Sequence, residues 1–126
     1  EVFLHNILKI VYNLIMEISI TITEVAKAHI LELLKEQPLF DAKFRLYVSL
    51  SRANGFEYAC TFDDLVNDDD LVLNYQVQDK NFDILIDSMS FQYINGAFVD
   101  CKTHEGQEGL IISNPNAGKV EGENAV

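Results

Sequence analysis

The chain has 126 residues, 48% of them hydrophobic, and a mean hydropathy of +0.05, which describes a folded domain and not a disordered tail. Nine lysines and arginines stand against twenty aspartates and glutamates, a formal charge of −11. That balance repels phosphate backbones and anionic bilayer surfaces, so nucleic acid is not an expected partner and membrane surfaces are disfavoured, with membrane anchoring of the N-terminal segment a minor alternative.

Residues 1–16 repeat apolar side chains with a helical period (Phe3, Leu4, Ile7, Leu8, Val11, Leu14, Ile15). They predict an amphipathic N-terminal extension, either packed on the domain or peripheral to it. The segment is too short and too polar to span a bilayer, and lacks the basic start and small-residue cleavage site of a secretory signal. Residues 17–22 alternate as a strand does. Thr23 then offers an N-cap to a helix running to about Gln37, where Pro38 ends it. Ala26, Ile30, Leu33 and Leu34 form its predicted inward stripe. His29 lies in this helix with no Cys, Asp or second His at ligand spacing, and reads as an ordinary helical residue.

Residues 44–50 alternate with Phe44, Leu46, Val48 and Leu50 inward and Arg45, Tyr47 and Ser49 outward. With residues 56–62 they predict a hairpin around residues 51–55. Asp63, Asp64 and Asn67 to Asp70 form an acidic connection. It lacks the central glycine of a calcium loop and reads as a solvated turn. Residues 71–75 and 82–86 are further strands joined by a turn around Asp79, Lys80 and Asn81, and residues 88–93 a short helix. Asn95-Gly96 is a tight-turn signal before a strand at 97–103. A loop is expected at 104–109, a last strand at 110–113, and a polar tail beyond 118. The order is α+β: a compact β-rich domain of mixed short strands with one main helix and a short second helix.

Cys60 and Cys101 form no Cys-x-x-Cys pair, and each falls inside a predicted strand. They read as buried small hydrophobes, with a disulfide or a thiol ligand as alternatives. A reducing cytoplasm is the expected compartment. No Ser/His/Asp order, phosphate loop or zinc motif is visible, and His104-Glu105 opens no His-Glu-x-x-His helix, so no enzyme is expected.

Two segments carry a resemblance. Residues 51–58, Ser-Arg-Ala-Asn-Gly-Phe-Glu-Tyr, and residues 114–123, Asn-Pro-Asn-Ala-Gly-Lys-Val-Glu-Gly-Glu, resemble the signatures of the A-type iron–sulfur carriers (IscA/HesB-like). Residues 21–26, 62–64, 84–87 and 93–96 match the same family in order and spacing, so that the resemblance runs from about Ile18 to Glu123. It implies a HesB-like domain at 17–117, flanked by the extension at 1–16 and a flexible tail at 118–126. It implies a dimer or larger assembly delivering iron or an iron–sulfur cluster to apo-protein clients alongside other assembly proteins. By the same alignment, Ala53, Glu121 and Glu123 stand where the family carries its three cluster-binding cysteines. A methyl group cannot ligate, and carboxylates are hard ligands where sulfide-bridged iron takes thiolates. The family expectation is therefore iron–sulfur cluster assembly or insertion with the cysteines replaced, the cluster being shared with a partner. Two other readings stand beside it: a mononuclear iron binder using Glu121, Glu123 and His104, and a non-catalytic interaction module.

Overall fold

Helix α1 (Val2–Met16) opens the computed structural model, which describes residues 2–16, 18–51, 53, 55–115 and 124–125, with side chains at all of these except 9, 12–16 and 124–125. The helical period is realised, but Val2, Phe3, Leu4, Leu8 and Ile10 remain exposed. The described apolar side chains of this helix therefore face solvent. Among the described residues no helix is long and apolar enough to cross a membrane.

The strand expected over 17–22 contracts to β1 (Thr21–Ile22). Upstream of it the backbone of Ser19 is engaged elsewhere: its N–H donates to Asn95 Oδ1 at 2.8 Å, and its carbonyl accepts from Gly96 N–H at 2.7 Å. Helix α2 (Glu24–Lys35) follows, and the Thr23 hydroxyl accepts from Ala26 N–H at 3.1 Å as the N-cap. Its buried residues are Ala26, Ile30 and Leu31. Leu33, expected in the core, is only partly covered, and Leu31 takes that place. The cause is that α2 lies across two sheets, so its apolar arc is wider than a single stripe. Leu31 and Leu34 line a cleft with Lys43, Asn74 and Phe82 of one sheet, while His29 faces Glu108 of the other.

The first sheet has the order β3-β2-β5-β4. Strands β2 (Lys43–Ser51) and β3 (Gly55–Asp63) form the predicted antiparallel hairpin in register from Lys43↔Asp63 to Ser51↔Gly55. Phe44, Leu46, Val48, Phe56 and Tyr58 are buried. Leu50 is not: at 66% exposure it projects near the hairpin tip, beyond the core. Strands β4 (Leu71–Val77) and β5 (Lys80–Ile86) make a second hairpin. Its turn is Gln78-Asp79, at φ 53° and 60°, one residue before the predicted position. Pairing of β5 with β2 is parallel.

Arg45 was expected to face solvent. It does leave the core face, but the acidic connection folds over it. Its guanidinium donates to both Asp70 carboxylate oxygens at 2.8 and 2.7 Å and to Asp63 Oδ2 at 3.2 Å. The solvated turn is thus an ion-paired cover.

Helix α3 (Ser88–Ile94) is capped by Asp87, whose carboxylate accepts from both Ser90 N–H and the Ser90 hydroxyl at 2.8 Å. The buried Ser90 oxygen in turn accepts from Val48 N–H at 3.0 Å and fixes the helix to β2. The second sheet has the order β1-β6-β7-β8. The loop expected over 104–109 is a two-residue turn, Glu105-Gly106 at φ 51° and 81°, joining β6 (Phe98–His104) to β7 (Gln107–Ser113). Gly106 meets the positive-φ demand of such a turn without steric cost and Glu105 adopts it beside the glycine, so β7 starts three residues earlier than the apolar run suggested. Two residues of the expected flexible tail, Asn124–Ala125, form β8 on the edge of β7. The architecture is α+β, as expected.

Candidate functional site

The first signature sits on the β2–β3 hairpin. Ser51↔Gly55 is the last rung, and Gly55 adopts φ 80°, a left-handed geometry that glycine meets without steric cost. Ala53 occupies the turn and is exposed. Its methyl presents no donor atom to anything that docks there. Glu121 and Glu123 lie outside the described residues.

The second signature is anchored from its first residue. Asn114 is buried, and its amide donates to the carbonyls of Tyr93 at 2.8 Å and Asn95 at 3.0 Å, at the end of α3. The Tyr58 hydroxyl also donates to the Tyr93 carbonyl, at 3.3 Å, so β3 meets the same point. Burial pushes the Tyr58 hydroxyl pKa up. Asn114 is therefore a structural residue, satisfying carbonyls that the end of a short helix would leave open. It fixes where the chain departs from β7. The chain then returns in β8, which pairs with β7 and also approaches β3, the strand that begins at the Ala53 turn.

His104 is placed differently. It ends β6 at the Glu105-Gly106 turn, its side chain is 90% exposed, and its neighbour Glu105 is 3.9 Å away. His104 pairs with Gln107, whereas Asn124 pairs with Ile112, five residues along β7 and roughly 17 Å away. The fold does not bring His104 to the described part of the chain end.

Another set of ligand-type side chains does converge, unanticipated from spacing. His29 of α2, Cys101 of β6 and Glu108 of β7 each present one ligand atom, all within 4.8 Å of one another. His29 Nδ1 lies 3.2 Å from a Glu108 carboxylate oxygen. The signal was the alternation itself: Cys101 pairs with Leu110, and Glu108 lies two residues before Leu110 on the same face of β7. The mistaken loop at 104–109 hid it. The two cysteines are free thiols in different sheets. Burial alone pushes the Cys60 thiol up to about 11. Burial, then Glu108 and Asp100, raise that of Cys101.

Comparison with known proteins agrees with this architecture. The family described as iron-sulphur cluster biosynthesis matches residues 18–120. An iron-sulfur cluster insertion protein ErpA of Burkholderia lata is 38% identical over 108 residues, covering 85% of this chain and 84% of that protein. An ErpA of Bordetella pertussis is 37% identical over 105 residues, covering 83% and 82%. Among solved structures, Escherichia coli SufA, described as involved in biosynthesis of iron-sulfur clusters, superposes with a TM-score of 0.63 at 25% identity, over 79% of this chain and 88% of SufA. IscA with the [2Fe-2S] cluster gives 0.57 at 20% identity, over 79% and 85%, a likeness of fold. With β1 to β7, the α2 and α3 helices, the first signature segment and residues 114–120 of the second inside the matched span, the chain belongs to the iron–sulfur cluster biosynthesis family of A-type carriers.

Proposed function

We propose that this chain serves iron–sulfur protein maturation as a member of a larger assembly, with the cluster as shared cargo and the thiolates supplied by a partner. The observation that carries this reading is Ala53: the first ligand position of the alignment is an exposed methyl on a turn that the scaffold otherwise preserves. Carboxylates at Glu121 and Glu123 match sulfide-bridged iron poorly. On this reading the chain is a carrier or adaptor and not an enzyme, works in a reducing cytoplasm, and associates with itself, with other assembly proteins and with apo-protein clients.

Anaerobic reconstitution of the isolated chain with iron and sulfide tests it. We expect no persistent charge-transfer absorbance from the unmodified protein. Joint replacement Ala53→Cys, Glu121→Cys and Glu123→Cys should confer one. A stable cluster on the unmodified chain overturns the proposal. Iron binding without sulfide, abolished by Glu121→Gln with Glu123→Gln, favours the mononuclear reading in its place, and adding His104→Gln tests whether that residue takes part.

A further inference from the structure

Three elements deliver His29, Cys101 and Glu108 to one point on the side of the domain where α2 crosses the β6–β7 hairpin. Each is set beside core residues: Ile30 follows His29, Val99 precedes Cys101 on the same strand face, and Leu110 pairs with Cys101, all three 2% exposed or less. The His29 and Cys101 backbones are therefore held by packing, while the Glu108 side chain, 60% exposed, is free to adjust from the solvent side. We propose that this cluster is a binding site for a borderline divalent transition-metal ion of the Zn²⁺ type, coordinated by His29 Nδ1, Cys101 Sγ and one Glu108 carboxylate oxygen.

The donor set suits that class. Imidazole nitrogen, thiolate sulfur and carboxylate oxygen are the three ligands that Zn²⁺ takes, whereas a hard ion such as Mg²⁺ or Ca²⁺ disfavours the sulfur. Bond lengths of about 2.0–2.3 Å put tetrahedral ligands about 3.5 Å apart. The His29 to Glu108 separation of 3.2 Å is already in that range, and the 4.8 Å upper limit across the set closes by about 1.3 Å. Rotation of the exposed Glu108 side chain supplies part of that movement. Thiolate and carboxylate together carry two negative charges, which neutralise a dication. The Asp100 carboxylate, whose field reaches Cys101, adds to the attraction. Three protein ligands leave a fourth position for water on the Glu108 side, the open arrangement of an exchangeable or reactive metal and not of a closed structural site. This inference stands apart from the cluster question, because none of its ligands is Ala53, Glu121 or Glu123.

The test is titration of Co²⁺, then Zn²⁺, into the full reduced chain under anaerobic conditions. Bound Co²⁺ should give a thiolate-to-metal charge-transfer band with tetrahedral ligand-field bands, saturating at one ion per chain, and Zn²⁺ should displace it. Cys101→Ser, and independently Cys101→Ala, should abolish the charge-transfer band. His29→Gln and Glu108→Gln should each weaken binding tenfold or more, at least the loss that follows removal of outer-shell partners. Cys60→Ser and the paired Glu121→Gln, Glu123→Gln variant should bind as the parent does, which separates this site from the chain end. Far-ultraviolet circular dichroism matched to the parent establishes that each variant is folded. Absence of the band in the parent, its survival in both Cys101 variants, or its loss in Cys60→Ser overturns the proposal and leaves His29 and Glu108 as an ordinary ion-pair contact.

Discussion

Arg45 offers the sharpest test of how the acidic connection works. Its guanidinium grips Asp70 through two bonds of 2.7 and 2.8 Å, and the Asp70 side chain is 0% exposed. Arg45→Ala leaves that carboxylate buried without its cation, a loss of about 3–5 kcal/mol for a shielded pair. Asp70→Asn is milder. The guanidinium keeps Asp63 at 3.2 Å and the Leu65 carbonyl at 3.4 Å, so the loss is about 2 kcal/mol, the scale of one charged hydrogen bond. The pH dependence has a definite sign. The Arg45 bond, and then the Asn67 N–H, hold the Asp70 carboxyl below the usual carboxylate range against the opposing effect of burial. A depressed folded-state pKa contributes stability above the unfolded value of about 3.9, and that stability is lost as pH falls through the folded value. Urea unfolding at fixed protein concentration should therefore show a gap between parent and Asp70→Asn that is full near about pH 7 and narrows towards about pH 3. A gap below about 0.5 kcal/mol at neutral pH, or one that does not narrow in acid, would refute the ion-paired cover.

Leu31→Ala should cost about 2–5 kcal/mol, because Leu31 is 6% exposed and part of the core cluster, while the partly covered Leu33→Ala should cost clearly less. Chemical denaturation of the two variants side by side checks the helix phase, and the reverse order would show that α2 is rotated. Met89, Phe98 and the described apolar residues of α1 are exposed, and among the described residues each sheet ends in edge strands, so self-association is the expected way to cover them. Light scattering at tens of micromolar should give at least a dimer, and a mass of one 14.3 kDa chain would remove that expectation.

Local chemistry carried most of the fold into the sequence. The Thr23 cap, the alternation through Phe44 to Val48, the Asn95-Gly96 corner and the short helix after Asp87 are all decided within a few residues, and all are found. What was hidden depends on partners distant in sequence. Arg45 alternates as an outward residue should, and nothing local says that residues 63–70 will return to cover it. Leu31 and Leu33 differ by only two helical positions, and the choice between them is set by α2 bridging two sheets. The His29, Cys101 and Glu108 cluster needs a helix, two strands and a tight Glu105-Gly106 turn to be placed before any two of its members meet. Reading residues 104–109 as a loop removed Glu108 from a strand face, and with it the reason to reconsider His29.

On the proposed reading, the same division explains how the family signature persists with Ala53, Glu121 and Glu123 at the ligand positions. In the first signature, Gly55 holds the turn geometry, and Phe56 and Tyr58 are buried. In the second, Asn114 binds two carbonyls at the end of α3. These residues are kept in place by folding, whatever the turn is used for. Ala53 is exposed on the β2–β3 turn just before Gly55, outside the apolar core. A cysteine or an alanine there is close to neutral for stability, as surface substitutions generally are. Ligand chemistry at such a position can change while the fold stays constant, so membership in the family follows from Gly55, Asn114 and the core, and cluster binding does not. On the proposed reading, what this chain does with iron or sulfur is decided by the residues at the ligand positions and by the partner that meets the exposed hairpin tip.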